Sequence, residues 1–126
     1  MKLVTIDKSI AVWLKAQERQ REERESLRES VLNEIEAALT SLSMQYSWDA
    51  AYIFGSVTKM DKFRPESDVD VAIRGLDKEK YFMFVSEISS LLNRTVDVIN
   101  LEDCHFSKSI ESEGFKWHPR RESQFS

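Results

Sequence analysis

From Asp7 to Ser43 the chain contains neither glycine nor proline, and helix-forming residues dominate. Apolar positions are spread unevenly through this stretch. Ile10, Trp13 and Leu14 form a small cluster, and KAQERQREERES, Lys15 to Ser26, offers almost nothing to bury. From Leu27 an apolar period returns at Leu27, Val31, Ile35, Ala38, Leu39 and Leu42. The pattern predicts one long helix or two joined helices, capped at the start by Asp7 or Ser9, with the second half lying on a core. Arg19–Glu23 and Arg21–Glu25 have the i,i+4 spacing of intrahelical ion pairs. The charged stretch reads either as a solvated helix face or as the stem of an arm. In the second reading its apolar tip, Ile10–Trp13–Leu14, docks on a partner or on a second copy of the chain.

Shorter periods follow. Ala50–Phe54 (AAYIF) is an apolar strand ending at Gly55, and Ser56–Met60 fits a brief helix. Asp61–Ser67 is a polar loop with one proline. Val69–Ile73 (VDVAI) alternates as a strand does and is rich in β-branched residues. Asp77 is placed to cap a helix whose apolar face is Tyr81, Phe84, Val85, Ile88, Leu91 and Leu92, with Asn93 at its end. Thr95–Asn100 is a third strand. Ser107–Glu113 is a short helix stopped by Gly114, and Phe115–Trp117 is a brief extended piece. The order predicts an α/β (α+β) domain, a small mixed sheet with flanking helices behind a long N-terminal helix. The divisions are 1–44 for the helical segment, 45–117 for the core and 118–126 for a polar, mobile tail.

Composition narrows the function. A chain of 126 residues holds one compact domain and leaves no room for a separate substrate-recognition domain. A net charge of −4 argues against non-specific nucleic-acid binding, which needs a basic surplus. Cys104 is the single cysteine, so no internal disulfide forms and a zinc site is not supplied. Asp7 and Lys8 break the first apolar run, which predicts no signal peptide, and no segment approaches a membrane span. The expected location is the cytoplasm.

The candidate chemistry lies in the middle of the chain. Asp68 and Asp70 are two apart at the head of an apolar strand, so their carboxylates share one face while Val69 and Val71 share the other. Aspartate is depleted in strands, and two like charges on one face repel. A divalent cation offsets that repulsion, and Mg²⁺ favours a few carboxylates together with waters and phosphates. Asp97 interrupts Val96 and Val98 in the next strand. If the two strands are neighbours in register, three carboxylates converge at one place, the arrangement of phosphoryl and nucleotidyl transfer. Asp97 is then the natural general base for an acceptor hydroxyl. Gly55–Ser56 supplies the complement: a tight turn, then helix N-terminal amides that receive triphosphate oxygens, with the Ser56 hydroxyl as a further donor. On this reading Gly55→Val fills space that the phosphate needs.

The combination Gly55-Ser56-x11-Asp68-x-Asp70, followed by Asp97 in an apolar strand, resembles the polymerase-β-type nucleotidyltransferase superfamily. The short length and the run RPESDVDVAI, Arg64 to Ile73, are most similar to its minimal branch, the MntA-type antitoxins encoded beside HEPN toxins. The resemblance covers Tyr46 to Trp117. It implies that Gly55 and Ser56 hold the nucleotide phosphates and that Asp68, Asp70 and Asp97 are the catalytic, metal-binding carboxylates for Mg²⁺. It implies transfer of AMP from ATP to a tyrosine hydroxyl of a cognate HEPN RNase toxin, with which the chain forms a hetero-oligomer. Many relatives carry Arg directly after Gly-Ser and Gly soon after; here Val57 and Met60 stand instead. Arg64 matches a loop arginine of the family and, with Lys59 and Lys62, is the candidate for charge near the phosphates. The alternatives are an antitoxin that neutralises its partner by binding alone and a transferase acting on a small hydroxyl compound.

Overall fold

A computed structural model describes the backbone of residues 2–119 and the side chains from residue 8 onward. Of the tail expected at 118–126, residues 120–126 lie outside the described residues, as does the side chain of Asp7. The first element, α1, is a single unbroken helix, Lys2–Leu42. At 1.5 Å per residue it is about 60 Å long. It passes straight through Asp7 and Ser9, so neither is the cap expected of it. Nothing in the run forces a break, since glycine and proline are both absent from it.

The two halves of α1 have different surroundings. Val31, Ile35, Ala38, Leu39 and Leu42 are buried, at the i, i+4, i+7 spacing that places them on one stripe. Every described position from Lys8 to Glu23 is exposed. Trp13, at 60% exposure, stands in solvent with Ile10 and Leu14 beside it. The expected Arg21–Glu25 pair is replaced, because the neighbouring loop offers Arg21 another partner and the next turn of α1 offers one to Glu25. Arg21 reaches Asp61 at 3.8 Å, and Glu25 takes Arg28 at 3.0 Å.

Four strands form one mixed sheet in the order β3-β2-β1-β4: β1 (Ala50–Phe54), β2 (Val69–Arg74), β3 (Val96–Asn100) and β4 (Phe115–Lys116). β1 lies antiparallel to both β2 and β4, whereas β2 and β3 run parallel. Parallel neighbours need a crossover, and α2 (Tyr81–Leu92) provides it. Asp77 does cap, but it accepts from the Glu79 amide at 3.0 Å to start a 3-10 turn, Lys78–Lys80, that runs directly into α2. Asn93 ends α2 in the left-handed conformation, φ 50°. Phe84, Ile88 and Leu92 face inward. Leu91, expected to join them, points outward at 55% exposure; it lies about 100° round the helix from Leu92, beyond the reach of the sheet. Tyr81 donates to the Val98 carbonyl at 2.6 Å and ties α2 to β3.

The main core sits between one face of the sheet (Ala51, Ile53, Val69, Val71, Ile73, Val96, Val98) and the two helices α1 and α2. A smaller cluster on the other face, Tyr52, Ala72, Leu101 and Ile110, is covered by α3 (Ser107–Glu113). That short helix is fastened to the end of β2 by an Arg74–Glu111 ion pair. It leaves the far end of the same face open, where β1 finishes and β2 and β3 begin.

Candidate active site

At that open end the register sets three residues in a row. Phe54 of β1 pairs with Asp70 of β2, and Asp70 pairs with Asp97 of β3. The condition set by the sequence, that the two aspartate strands be neighbours in register, is met. Asp68 stands one residue before β2, and its charge acts on Asp70. Asp70 is half-buried, while Asp68 and Asp97 are exposed. Burial, followed by repulsion from Asp97 and then from Asp68, pushes the Asp70 carboxyl up to about 6.

Gly55 follows Phe54 with φ 83° and ψ −156°, a conformation that only glycine adopts without strain. It also faces Asp70. A Cβ built on Gly55 would collide with the Asp70 carboxylate, whose Cγ lies only 3.0 Å from that point. The space beside Gly55 therefore belongs in the first place to Asp70. After Gly55 the chain forms a 3-10 turn, Ser56–Thr58, shorter than the helix expected to Met60. The Thr58 amide and hydroxyl both donate to the Gly55 carbonyl, at 3.1 and 2.7 Å. Val57 is fully buried beneath the turn.

Two arginines that the sequence did not single out position this end of the molecule. Arg28 of α1 donates to the Val57 carbonyl at 3.1 Å while held by Glu25. Its salt bridge lowers the Glu25 carboxyl below the usual range, with the Asp61 amide adding to the effect. Arg94 donates to the carbonyls of Pro65 and Ser67 at 2.8 and 2.7 Å and lies over the Phe63 ring at 5.0 Å. It thereby fixes the loop that delivers Asp68. Only the i,i+3 pair Glu25–Arg28 left a trace in the sequence; carbonyl acceptors about thirty residues away leave none. Arg94→Ala removes both hydrogen bonds and the ring contact. It is expected to lower stability by about 1–3 kcal/mol in urea titration and to cut activity in the folded protein.

Arg64 is not brought to the carboxylates. Its guanidinium donates to the Asp61 carbonyl at 2.8 Å and lines a groove with Gln20, Glu23 and Arg24 of α1. Among the described residues no three His, Cys, Asp or Glu side chains close on one point as a ready metal cage. The donor set is nonetheless one of hard carboxylate oxygens, and Asp70, raised first by burial and then by repulsion from Asp97 and Asp68, stands among like charges that a divalent cation neutralises. The residues fit Mg²⁺ on those grounds.

A mixed sheet with carboxylates in register beside a glycine turn defines a nucleotidyltransferase-type architecture. Residues 36–116 match the family model described as polymerase beta, nucleotidyltransferase, and the chain belongs to that family. The fold is similar to the crystal structure of a toxin–antitoxin with AMP-PNP, at 20% identity and TM-score 0.56, covering 71% of this chain and 77% of that one. It is similar to a minimal nucleotidyltransferase, at 19% identity and TM-score 0.56, covering 70% and 93%. A third similar structure is the toxin–antitoxin MntA-HepT, at 17% identity and TM-score 0.51, covering 72% and 75%. No curated protein matches the chain. No helix among the described residues is long and apolar enough to cross a membrane.

Proposed function

We propose that the chain is a cytoplasmic antitoxin that transfers AMP from ATP to a tyrosine hydroxyl of a partner HEPN RNase toxin and so silences it. The observation that carries this reading is the in-register pair Asp70–Asp97 with Gly55 packed against Asp70. Family membership supplies the reaction class. The toxin–antitoxin structures of similar fold, one with AMP-PNP, support the partner and the nucleotide.

In this mechanism the triphosphate lies at Gly55–Ser56. Asp97 accepts the proton of the acceptor hydroxyl, whose oxygen bonds to the α-phosphorus. The bond from that phosphorus to the bridging oxygen breaks, and pyrophosphate leaves with its electron pair. Asp68, Asp70 and Asp97 would hold Mg²⁺, which neutralises charge on the phosphates. Incubating the purified chain with the toxin, ATP and Mg²⁺ tests the proposal by mass spectrometry of the toxin. An AMP adduct on tyrosine supports it; inhibition of the RNase with no adduct supports neutralisation by binding instead.

The exposed tip Ile10–Trp13–Leu14 is proposed to contact the partner. Because Trp13 touches no core, Trp13→Ala is expected to shift the stability of the isolated protein by less than about 0.5 kcal/mol. Its affinity for the toxin is expected to fall about tenfold or more. A lower melting temperature with unchanged affinity would place Trp13 in this domain's own structure.

A further inference from the structure

A cleft of about 210 Å³ opens beside the Gly55 turn, between the end of β1 and α3. Phe54, Phe106 and Ile110 give it an apolar lining, and Ser109, Lys59 and Glu113 add polar groups. Its α3 wall is held in place by buried Ile110 and by the Arg74–Glu111 ion pair. Pockets for whole drug-sized ligands run to about 300–1,000 Å³. This cleft falls short of that and suits a single flat ring system with one face against an aromatic side chain.

We propose that the cleft receives the nucleobase of the donor nucleotide, stacked against Phe106. The inference rests on the nucleotidyl-transfer reading above. Two features of the structure select the donor over the acceptor. First, Gly55 belongs both to the turn assigned to the phosphates and to the lining of the cleft, so the two subsites are continuous. Second, the carboxylate assigned as general base is on the far side. Asp97 lies on β3, two strands from β1, which is roughly 10 Å at the usual inter-strand spacing. A hydroxyl delivering its proton to Asp97 must come within about 3 Å of it. An acceptor side chain seated in the cleft could not do so, whereas a nucleotide lying across Asp70 spans the gap. Lys59, on the path from turn to cleft, adds a cation next to the phosphates.

The test compares ATP with inorganic tripolyphosphate, which has the phosphates and no ring, by calorimetry in Mg²⁺. The parent protein is expected to bind ATP at least tenfold more tightly than tripolyphosphate, given the usual strength of base–aromatic stacking. Phe106→Ala, at an exposed position, and Ser109→Tyr, which fills the cleft, are each expected to remove most of that difference. Neither should change tripolyphosphate affinity or the melting temperature. If tripolyphosphate binds but both variants keep the parent's preference for ATP, the ring lies elsewhere and this assignment is wrong. If neither ligand binds the parent, the nucleotide reading itself fails, and this assignment falls with it.

Discussion

Asp70→Asn is expected to remove transfer activity and, in the same protein, to raise stability at neutral pH in metal-free buffer. The loss of activity follows from the position of Asp70. It stands between Asp97 and the Gly55 turn, and a neutral amide there gives up the negative charge that a divalent cation on the phosphates requires. Activity should fall by about 10² or more. The gain in stability follows from the sign of the carboxyl's shift. Folding raises it to about 6, against about 3.9 in an unfolded chain. Between those values the folded state keeps a proton that the unfolded state has released, so this group's contribution to stability falls as pH rises from about 4 to about 6. The full shift corresponds to nearly 3 kcal/mol, but partial exposure and solvent screening reduce it to roughly 1 kcal/mol. Urea titrations of Asp70→Asn against the parent should show that difference at pH 7 and none below pH 4. Adding Mg²⁺ with ATP should stabilise the parent and leave the variant unmoved. A variant that is less stable at pH 7, or that retains more than a few per cent of activity, contradicts the assignment.

The second large effect is expected at Gly55. Gly55→Ala meets two obstacles at once: a backbone at φ 83° that side-chain-bearing residues avoid, and the Asp70 carboxylate in the space the new methyl needs. The strain alone costs about 1–3 kcal/mol, and relief comes only if Asp70 or the turn moves. ATP affinity and transfer should each drop tenfold or more. The cause differs from the one the sequence suggests, in which a side chain at Gly55 blocks the phosphate directly. A double-mutant cycle separates the two. If the collision is with Asp70, the stability cost of Gly55→Ala shrinks when made together with Asp70→Ala, with a coupling of roughly 0.5–3 kcal/mol. Additive costs would return the explanation to the backbone and the phosphate alone.

The elements carried by local pattern were legible in the sequence. The strand at Ala50–Phe54 and the short helix at Ser107–Glu113 have the bounds that an apolar run ending at Gly55 and the Gly114 stop predict. The shared face of Asp68 and Asp70 and the candidate role of Asp97 also came from period two and from charge placed in an apolar strand. What escaped depended on distance. Arg28 and Arg94 act on carbonyls far along the chain, and a carbonyl has no residue type to betray it. Arg64 donates to the Asp61 and Phe63 carbonyls of its own loop, contacts that its residue type does not announce. The cleft beside Gly55 required knowing that α3 crosses back over β1, which no periodicity encodes.

A helix without a hinge transmits bearing as well as length. Because α1 runs unbroken from the arm into the core, the direction in which Trp13 points is locked to the domain by the number of residues between them. One alanine inserted in the stem after Lys15 would swing the tip by about 100° around the axis. Seven would return it to within about 20° of its first heading while moving it some 10 Å outward. A partner that reads the tip and the catalytic end together should tolerate neither change. One that reads the tip alone should tolerate both.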